Sequence, residues 1–549
     1  MRSVRPSFPR ADVAVGAWRH NRRVPIVAVQ SACQQVDERG VPCAPPVLPG
    51  TTAEWLAYVE EQERTASPRW VVGDCAATYP VLLNAGVRLR KAHDLRLTEA
   101  LLQAYAGSPA PHDAPQTERP SAQPDLFEPE PVPEDPATAV AAASRRYADQ
   151  LARIAATERP RHFELLVAAE SAGGLAACEM TAAGIPWDIG VHDAVLTELL
   201  GTVDPAGGRP SKLAALAERV HAGFGRPVNP DSPADLLAAF RQDGYAIDTT
   251  RATTLRQLDH PAAAALLAYK EVARIHSAHG WAWQAAWIAD GRFRPTYVPG
   301  GVVSGRWATR GGGALQIPRR LRRAVVADPG HVLVVADAGQ ADPRVLAAMS
   351  GDPGMTEAAM ADDMYTALAT QAFGGDRGRA KLGLLGAMYG QTGGEAAAPL
   401  ATLRRRYPVA LALLEQAARA GERGAVVRSH LGRTCPPARD GEVATTPRAR
   451  ARGRFTRNFV VQATTAEWAL ALLARLRLHL ADLRAPGQLA EVVFYQHDEF
   501  MVHAEEPLAN AVSDAIHRAG EEATHLLFGE TAVRFPLDVT VADNYLDAH

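Results

Sequence analysis

The stretch HVLVVADAGQADPRVLAAMSGD, residues 331–352, decides how this chain is interpreted. Residues 332–336 are all apolar and lead into a carboxylate, Asp337, a pattern typical of a buried strand that delivers an acid at its end. From Pro343 onward, apolar residues recur with the period of a helix. Because α/β proteins bind ligands at the carboxyl ends of their strands, we expect Asp337 to be a metal ligand.

A second acid of this kind lies far downstream in VVFYQHDEFMVHA, residues 492–504. Apolar residues alternate on both sides of His497-Asp498-Glu499, which predicts a hairpin with the acids at its tip. Carboxylates on two adjacent strands would suit a pair of Mg²⁺ ions about 3.5–4 Å apart, as in phosphoryl-transfer enzymes. The alternative is that each acid is simply solvated at the end of its strand.

Between the two acids, the segment DRGRAKLGLLGAMYGQ (376–391) repeats functional side chains at every fourth position. Arg377, Lys381, Leu385 and Tyr389 therefore share one face of a predicted helix. An Arg and a Lys one turn apart can grip a triphosphate, and a Tyr offers a flat surface beside a base. The alternative is an exposed cationic face; a P-loop is excluded because its consensus is absent.

Arginine-rich patches surround these segments. They lie at 304–306 (SGR), 318–323, 404–406 and 448–462. Any one of them alone is explained as a solvated face, whereas together they predict a track for a phosphate backbone. If about six to ten phosphates are neutralised, affinity should fall roughly 10³–10⁵-fold between 50 and 200 mM salt.

Length and composition limit the number of domains and the class of protein. With 549 residues the chain is too long for one core, so two to four domains are expected. A net charge of −3 shows no overall basic excess that would indicate a nucleic-acid partner. Only four of the 58 basic residues are Lys. The five Cys contain no C-x-x-C pair, which argues against a disulfide framework or structural zinc and favours a reducing cytoplasm. No stretch approaches 18 uninterrupted apolar residues, so neither secretion nor membrane spanning is expected.

The order of segments predicts the organisation of the chain. Residues 26–30 and 70–74 look like strands and residues 97–106 like a helix, which together indicate a small α/β unit. Residues 108–137 are rich in Pro and acids and are interpreted as a linker or exposed loop. Helical periods then dominate to about residue 290, strands follow, and helices return from 353 before the final strands.

In this order and spacing the chain resembles the family A DNA polymerases, the bacterial DNA polymerase I group, from about residue 138 onward. Residues 337–344 (DAGQADPR), followed by SGDP at 350–353, match the family's motif A. Arg377, Lys381, Tyr389 and Gly390 match motif B, and 497–499 (HDE) match motif C. Shorter landmarks agree: SGR at 304–306, LQIP at 315–318 and LGR at 431–433.

The resemblance implies roles for individual residues. Asp337 and Asp498, with the carbonyl of Ala338, would hold two Mg²⁺ ions, with Mn²⁺ as a substitute, and Glu499 would tune this site. Lys381 would also act in catalysis. The implied nucleotide-binding side chains are Arg377, Lys381, Tyr389, Gln340, Asp342 and Leu385. The implied contacts to primer or template are Arg306, Gln316, Arg454, Asn458, Gln462 and His497.

The resemblance to family A DNA polymerases also implies an architecture and binding partners. The expected fold is α+β and multidomain: a right-hand polymerase with an antiparallel palm sheet and helical fingers and thumb, preceded by a small α/β exonuclease-like domain. The expected limits are 1–107 (vestigial 3′–5′ exonuclease-like domain), 108–137 (linker), 138–290 (connector and thumb), 291–352 and 441–549 (palm), and 353–440 (fingers). The expected partners are primer–template DNA and dNTPs. The expected state is a cytoplasmic, nucleoid-associated monomer without membrane contact.

The first 107 residues lack the paired acids of a proofreading nuclease. The first strand reads VAVQSACQ, with no D-x-E signature. Only Asp74 and His93-Asp94 are candidate remnants, with a loose match at 147–149. Two metal ions need clustered carboxylates, so we expect a DNA-templated DNA polymerase without proofreading, acting in repair or replication.

Three departures from the family pattern matter. Asp342 stands where Glu is usual beside the sugar, which predicts weaker discrimination between deoxyribose and ribose. Leu385 replaces an aromatic residue, and Ala338-Gly339 replaces Tyr-Ser. Two alternatives are a single-subunit RNA polymerase, which would lack an acidic gate such as Asp342, and a catalytically silent relic that binds primer–template.

Overall fold

The computed structural model describes residues 24–29, 32–108, 135–204, 207–391, 393–439, 441–484 and 489–548. Most of the predicted linker, residues 109–134, lies outside the described residues. The chain forms two compact units: the first contains residues up to 183, 296–310 and 334–541, and the second contains 184–295, 311–333 and 542 onward. The domain limits expected from the sequence stay a prediction.

The strands run in the following order: β1 (Ile26–Val29), β2 (Ala32–Gln35), β3 (Arg69–Val72), β4 (Lys91–Asp94), β5 (Ile185–Pro186), β6 (Ile288–Ala289), β7 (Arg292–Phe293), β8 (Thr296–Val298), β9 (Ala308–Arg310), β10 (His331–Ala338), β11 (Val427–Arg428), β12 (Thr434–Cys435), β13 (Ala490–Gln496), β14 (Glu499–Glu505) and β15 (Leu537–Ala542).

The helices are α1 (Thr52–Thr65), α2 (Cys75–Asn84), α3 (Leu95–Tyr105), α4 (Pro136–Ala155), α5 (Pro160–Ala183), α6 (Ile189–Leu200), α7 (Ser211–Phe224), α8 (Pro233–Gln242), α9 (Ala252–Leu255), α10 (Pro261–His279), α11 (Trp281–Trp287), α12 (Ala341–Ser350), α13 (Pro353–Ala358), α14 (Met364–Ala372), α15 (Arg377–Tyr389), α16 (Ala397–Arg406), α17 (Pro408–Glu422), α18 (Thr446–Asp482) and α19 (Ala509–Phe528).

The N-terminal sheet has the strand order β2-β1-β3-β4 and is covered on both faces. β1, β3 and β4 are parallel, and β2 is antiparallel to β1. Successive side chains of β3 point to opposite faces, so Trp70 joins one apolar cluster while Val71 joins another with Val140 and Tyr147 of α4. Burial on both faces explains the apolar runs that predicted this α/β unit.

The central sheet of the first unit has the order β13-β14-β10-β15. Every side chain from Val332 to Ala336 is buried, because helices pack against this sheet and leave no solvated face along β10. β13 and β14 form an antiparallel hairpin with a register irregularity between Val492 and Phe494. The strand, the following helix α12 and the hairpin are all as predicted from the sequence.

Helices α13 to α17 form an insertion between α12 and the short strand β11. Helix α15 packs against α14 and α16 through buried positions such as Ala380 and Leu384. Gly383 lies at this contact: a Cβ there would come within 2.8 Å of the Cβ of Pro399. One face of α15 is therefore packed tightly, while the other is left for solvent or ligand.

The second unit is mainly helical, and its largest core lies between α7 and α10. Leu213, Val220, Leu266 and Tyr269 belong to this core. A separate aromatic cluster forms where Trp187, Trp283 and Phe293 pack edge to face or at a tilt. The unit thus has its own apolar core, as expected for a separate helical region.

Among the described residues, one helix is long and apolar enough to cross a membrane. It is α18, and 89% of its most apolar window is buried inside the protein. Such burial is typical of a core helix.

Candidate active site

The end of strand β10 lies against the tip of the β13–β14 hairpin. The backbone N–H of Ala338 donates to the carbonyl oxygen of Asp498 at 3.2 Å. Gln496 pairs with Glu499, so His497 and Asp498 form the turn, and His497 has a left-handed φ of 63°. Primed hairpin turns require a positive φ at this position, which a residue other than Gly adopts at some cost. Both predicted metal ligands, Asp337 and Asp498, are therefore at one edge of the sheet.

Asp498 carries the electrostatic signature of a crowded acidic site. Burial, together with repulsion from Asp337 and Asp342, raises the pKa of its carboxyl group to about 7, although Arg306 opposes the shift. A carboxyl group with this pKa is near half-protonated at neutral pH. The three acids thus concentrate more negative charge than the protein itself neutralises.

Asp342 joins this cluster from the first turn of α12. Its Oδ2 lies 3.6 Å from Nη2 of Arg306, and both side chains are largely buried. Its Oδ1 is buried and has no hydrogen-bond partner among the described residues. An unsatisfied buried carboxylate oxygen is costly, so it points to a group that arrives with a ligand.

The oxygen ligands at this site fit divalent cations whose coordination is completed by the substrate. Among the described residues no group of three or more His, Cys, Asp and Glu could enclose a metal ion by itself. Mg²⁺ characteristically takes one or two carboxylates and completes its coordination with water and substrate phosphates. Two acids at a sheet edge with excess negative charge, Asp337 and Asp498, match that requirement, and the carbonyl of Ala338 is adjacent in sequence.

Helix α15 presents the predicted cationic face. Arg377, Lys381 and Tyr389 are exposed and Leu385 is partly buried. Burial raises the pKa of the Tyr389 hydroxyl, as do the charges of Asp342 and Asp498. The C-terminal end of this helix is therefore within electrostatic reach of the acidic cluster.

Asp363, which the sequence did not single out, connects the strand–helix segment to α15. Its Oδ1 accepts from Nε2 of Gln340 at 2.8 Å, and its Oδ2 accepts from Nε of Arg377 at 2.7 Å. Burial raises the pKa of this carboxyl, but hydrogen bonds from Arg377, Gln340 and Thr366 outweigh that effect and lower it. Asp363 is also the N-cap residue of α14, a local role that gives no sign of the bridge.

Tyr365 lies beneath the same cations. The guanidinium of Arg377 is 5.6 Å and the ammonium of Lys381 6.0 Å from the centre of its ring. Burial, together with Asp342 and Tyr389, raises the pKa of its hydroxyl to about 12. The ring therefore helps to hold both cations in place on α15.

The remaining predicted site residues lie in three places. Arg454, Asn458 and Gln462 share one solvent-accessible face of α18 at intervals of four residues. Gly390 has a φ of 72°, and a Cβ there would lie 2.6 Å from Cγ of Arg454, so α15 and α18 touch at this point. His497 and Glu499 flank Asp498 on the hairpin. Gln316 is exposed in a 3-10 turn of the second unit.

The N-terminal acids serve the fold. Asp74 caps α2 by accepting from the N–H of Ala76, and it pairs with Arg96 at 2.7 Å. Asp94 is fully buried and accepts from the N–H groups of Cys75 at 2.7 Å and Leu97 at 2.8 Å. Burial lowers the pKa of His93 to about 4, and its ring contacts Gln150. Asp74 and Asp94 are thus engaged as helix caps, and His93 is engaged in a buried hydrogen bond.

The sequence is similar to polymerases over its C-terminal part. Residues 209–547, more than half of the chain, match DNA polymerase family A. The chain is 27% identical over 352 residues to DNA polymerase I of Chloroflexus aurantiacus, covering 56% of this chain and 37% of that protein. It is 29% identical over 245 residues to DNA polymerase I of Mycobacterium tuberculosis, covering 41% of this chain and 25% of that protein. The matches thus span less than half the length of these relatives.

The fold is similar to a solved polymerase domain. The POL domain of Pol1 from M. smegmatis, in complex with DNA primer-template and dNTP, superposes with a TM-score of 0.69 at 18% identity, covering 97% of this chain and 98% of that chain. The α+β right-hand fold expected from the sequence is thereby confirmed. The chain belongs to DNA polymerase family A.

Proposed function

We propose that this protein is a DNA-templated DNA polymerase that adds deoxynucleotides to a primer 3′-hydroxyl without proofreading. The observation that supports the proposal is the bond between Ala338 and Asp498, which joins the end of β10 to the hairpin turn, together with the electrostatic effect of Asp498 on Tyr389 of α15. Family membership supports the same reaction.

Asp337 and Asp498, with the carbonyl of Ala338, would hold two Mg²⁺ ions. When bound, such ions lower the pKa of the attacking hydroxyl and neutralise charge on the triphosphate. The chain adds the surroundings: Asp498 is partly withdrawn from water, which strengthens its attraction for cations, and Arg306 limits the excess negative charge.

The nucleotide would bind against α15. Arg377 offers a fork of donors and Lys381 a point charge to the phosphates. Asp363 and Tyr365 orient these two cations, so little side-chain freedom is lost when the triphosphate arrives. Tyr389, half exposed at the end of the helix, would lie beside the nascent base pair.

The sugar would be sensed by Asp342. Its side chain is one methylene shorter than the Glu usual in this family, and one oxygen has no partner among the described residues. A shorter carboxylate would leave more room at the 2′ position. We therefore propose that ribonucleotides are excluded less tightly than in relatives that have Glu there.

The absence of proofreading is supported by the use of the N-terminal acids. Asp74 and Asp94 accept backbone N–H groups at helix starts, and Asp74 is neutralised by Arg96. A two-metal nuclease needs clustered carboxylates that are free for metal ions. The N-terminal α/β unit would then have a structural role.

Primer extension on the purified chain tests the proposal. A labelled primer–template is incubated with dNTPs and separately with rNTPs, first with Mg²⁺ and then with Mn²⁺, and Asp337→Ala is the control. Template-directed extension with dNTPs that Asp337→Ala lacks would support the proposal. Extension with rNTPs alone would indicate an RNA polymerase, and binding without extension a silent relic.

A further inference from the structure

Arg306 is a cation beside the acidic cluster, and it belongs to a tight turn. The turn joins β8 to β9 and is closed by two bonds, from Gly305 N–H to the Val302 carbonyl at 2.7 Å and from Val302 N–H to the Arg306 carbonyl at 3.1 Å. Besides contacting Asp342, Arg306 opposes the pKa increase at Asp498. A small shift of this turn would therefore alter the site directly.

A buried ion pair lies directly under the turn. Nη2 of Arg433 is 2.5 Å from Oε2 of Glu170 on α5, with side chains only 7% and 3% exposed. A Cβ on Gly305 would lie 2.4 Å from Nε of Arg433, and one on Gly300 would lie 2.5 Å from Oε1 of Glu170. Both glycines also have positive φ, 83° and 62°. The two ends of the turn thus rest on the two partners of the pair.

The residue after Arg306 is anchored separately. The Trp307 ring packs edge to face on Tyr495 at 4.8 Å between ring centres, and a Cβ on Gly173 of α5 would lie 3.2 Å from it. Arg306 is therefore held between two fixed points, Gly305 on the ion pair and Trp307 on α5, and only its side chain projects toward Asp342.

We infer that Glu170 and Arg433 are positioning residues for the polymerase reaction, acting through the turn that presents Arg306 to the acidic cluster. Buried ion pairs contribute little to stability relative to apolar packing of the same volume. A role in positioning Arg306 explains why Gly300 and Gly305 lie so close to this ion pair. The inference rests on the proposed polymerase function.

A double-mutant cycle in single-turnover primer extension tests this role, because residues that act through one another are not additive. Glu170→Gln and Arg433→Lys should each lower the extension rate about 10- to 100-fold, the effect of a small misplacement in an active site. In an Arg306→Ala background the same changes should lower it no more than about 2-fold. Arg433→Lys keeps the buried charge and is the variant to use if Glu170→Gln does not fold.

The matched control is the buried pair of Arg477 and Glu179, 2.5 Å apart on α18 and α5 and bound to the N-terminal unit through Tyr79. Glu179→Gln should lower the melting temperature comparably and leave the extension rate within about 2-fold. The inference is overturned if Glu170→Gln and Arg433→Lys have no effect, if their effects are equal in both backgrounds, or if Arg306→Ala itself leaves the rate unchanged. An inactive wild-type chain would instead overturn the proposed function.

Discussion

The backbone N–H of Ala338 donates to the carbonyl of Asp498 at 3.2 Å, and this bond joins two segments that lie far apart in the chain. It fixes the end of β10 against the turn of the hairpin. The two acids on which the proposed chemistry depends are consequently held by backbone geometry. Sites built on strands in this way are positioned more accurately than sites on loops.

The first prediction concerns the sugar. Asp342→Glu should raise the ratio of dNTP to rNTP incorporation about 10-fold, because the added methylene brings the carboxylate closer to the 2′ position. The ratio is measured from kcat/KM for both nucleotides on one template. Asp362→Glu makes the same change at a side chain that is 82% exposed and should leave the ratio unaltered. An equal ratio in wild type and Asp342→Glu would refute the role of Asp342.

The second prediction concerns the triphosphate. Arg377→Ala and Lys381→Ala should each raise KM for dNTP about 10-fold or more, because each removes a charge-assisted hydrogen bond. Arg379→Ala is the matched control: it lies on the same helix and is exposed, but it points away from the face that these two cations share. Comparable changes in all three variants would indicate a general charge effect and contradict the assignment.

The third prediction concerns proofreading. A primer with a mismatched 3′ end should not be shortened in the presence of Mg²⁺ or Mn²⁺, because Asp74 and Asp94 are engaged as caps. The assay uses the wild-type chain and Asp337→Ala without dNTPs. Metal-dependent shortening that persists in Asp337→Ala would reveal a nuclease site outside the polymerase site and disprove this part of the account.

The fourth prediction concerns stability. Arg344 is fully buried and donates to five carbonyl groups, among them those of Gly339 at 2.9 Å and Ala359 at 2.8 Å. Arg344→Met would remove all five of these bonds, so the first unit should lose roughly 3–5 kcal/mol of unfolding free energy, at about 1 kcal/mol per bond. Urea unfolding measures the loss, with exposed Arg405→Met as the control. A loss below about 1 kcal/mol would contradict it.

The local elements of the site were accessible from the sequence, because periodicity and turn signals are local. The apolar run before Asp337, the alternation around 497–499 and the four-residue repeat in α15 each identify one element without reference to the rest. The order of the motifs then indicated the family. Each of these depends on residues within about one helix length of each other.

The contacts between elements were not accessible in this way. Asp363 binds both Gln340 and Arg377, and Arg433 pairs with Glu170 from a distant helix. Motifs singled out Gln340, Arg377 and the segment that contains Arg433, but no local pattern identifies Asp363 or Glu170 as their partners, because these contacts arise only once the sheet and helices have packed. The glycines at 300 and 305 could not have identified the ion pair from the sequence, because the side chains that they approach, Glu170 and Arg433, lie far away in the chain.

The pairing of Asp337 and Asp498 as catalytic acids is tested by single-turnover primer extension with Asp498→Ala, measured together with its affinity for primer–template. We expect the extension rate to fall at least about 1,000-fold, because several kcal/mol of charge stabilisation are lost, while Kd for DNA changes less than about 3-fold. An extension rate within 10-fold of wild type would contradict the pairing of Asp337 and Asp498 as the catalytic acids.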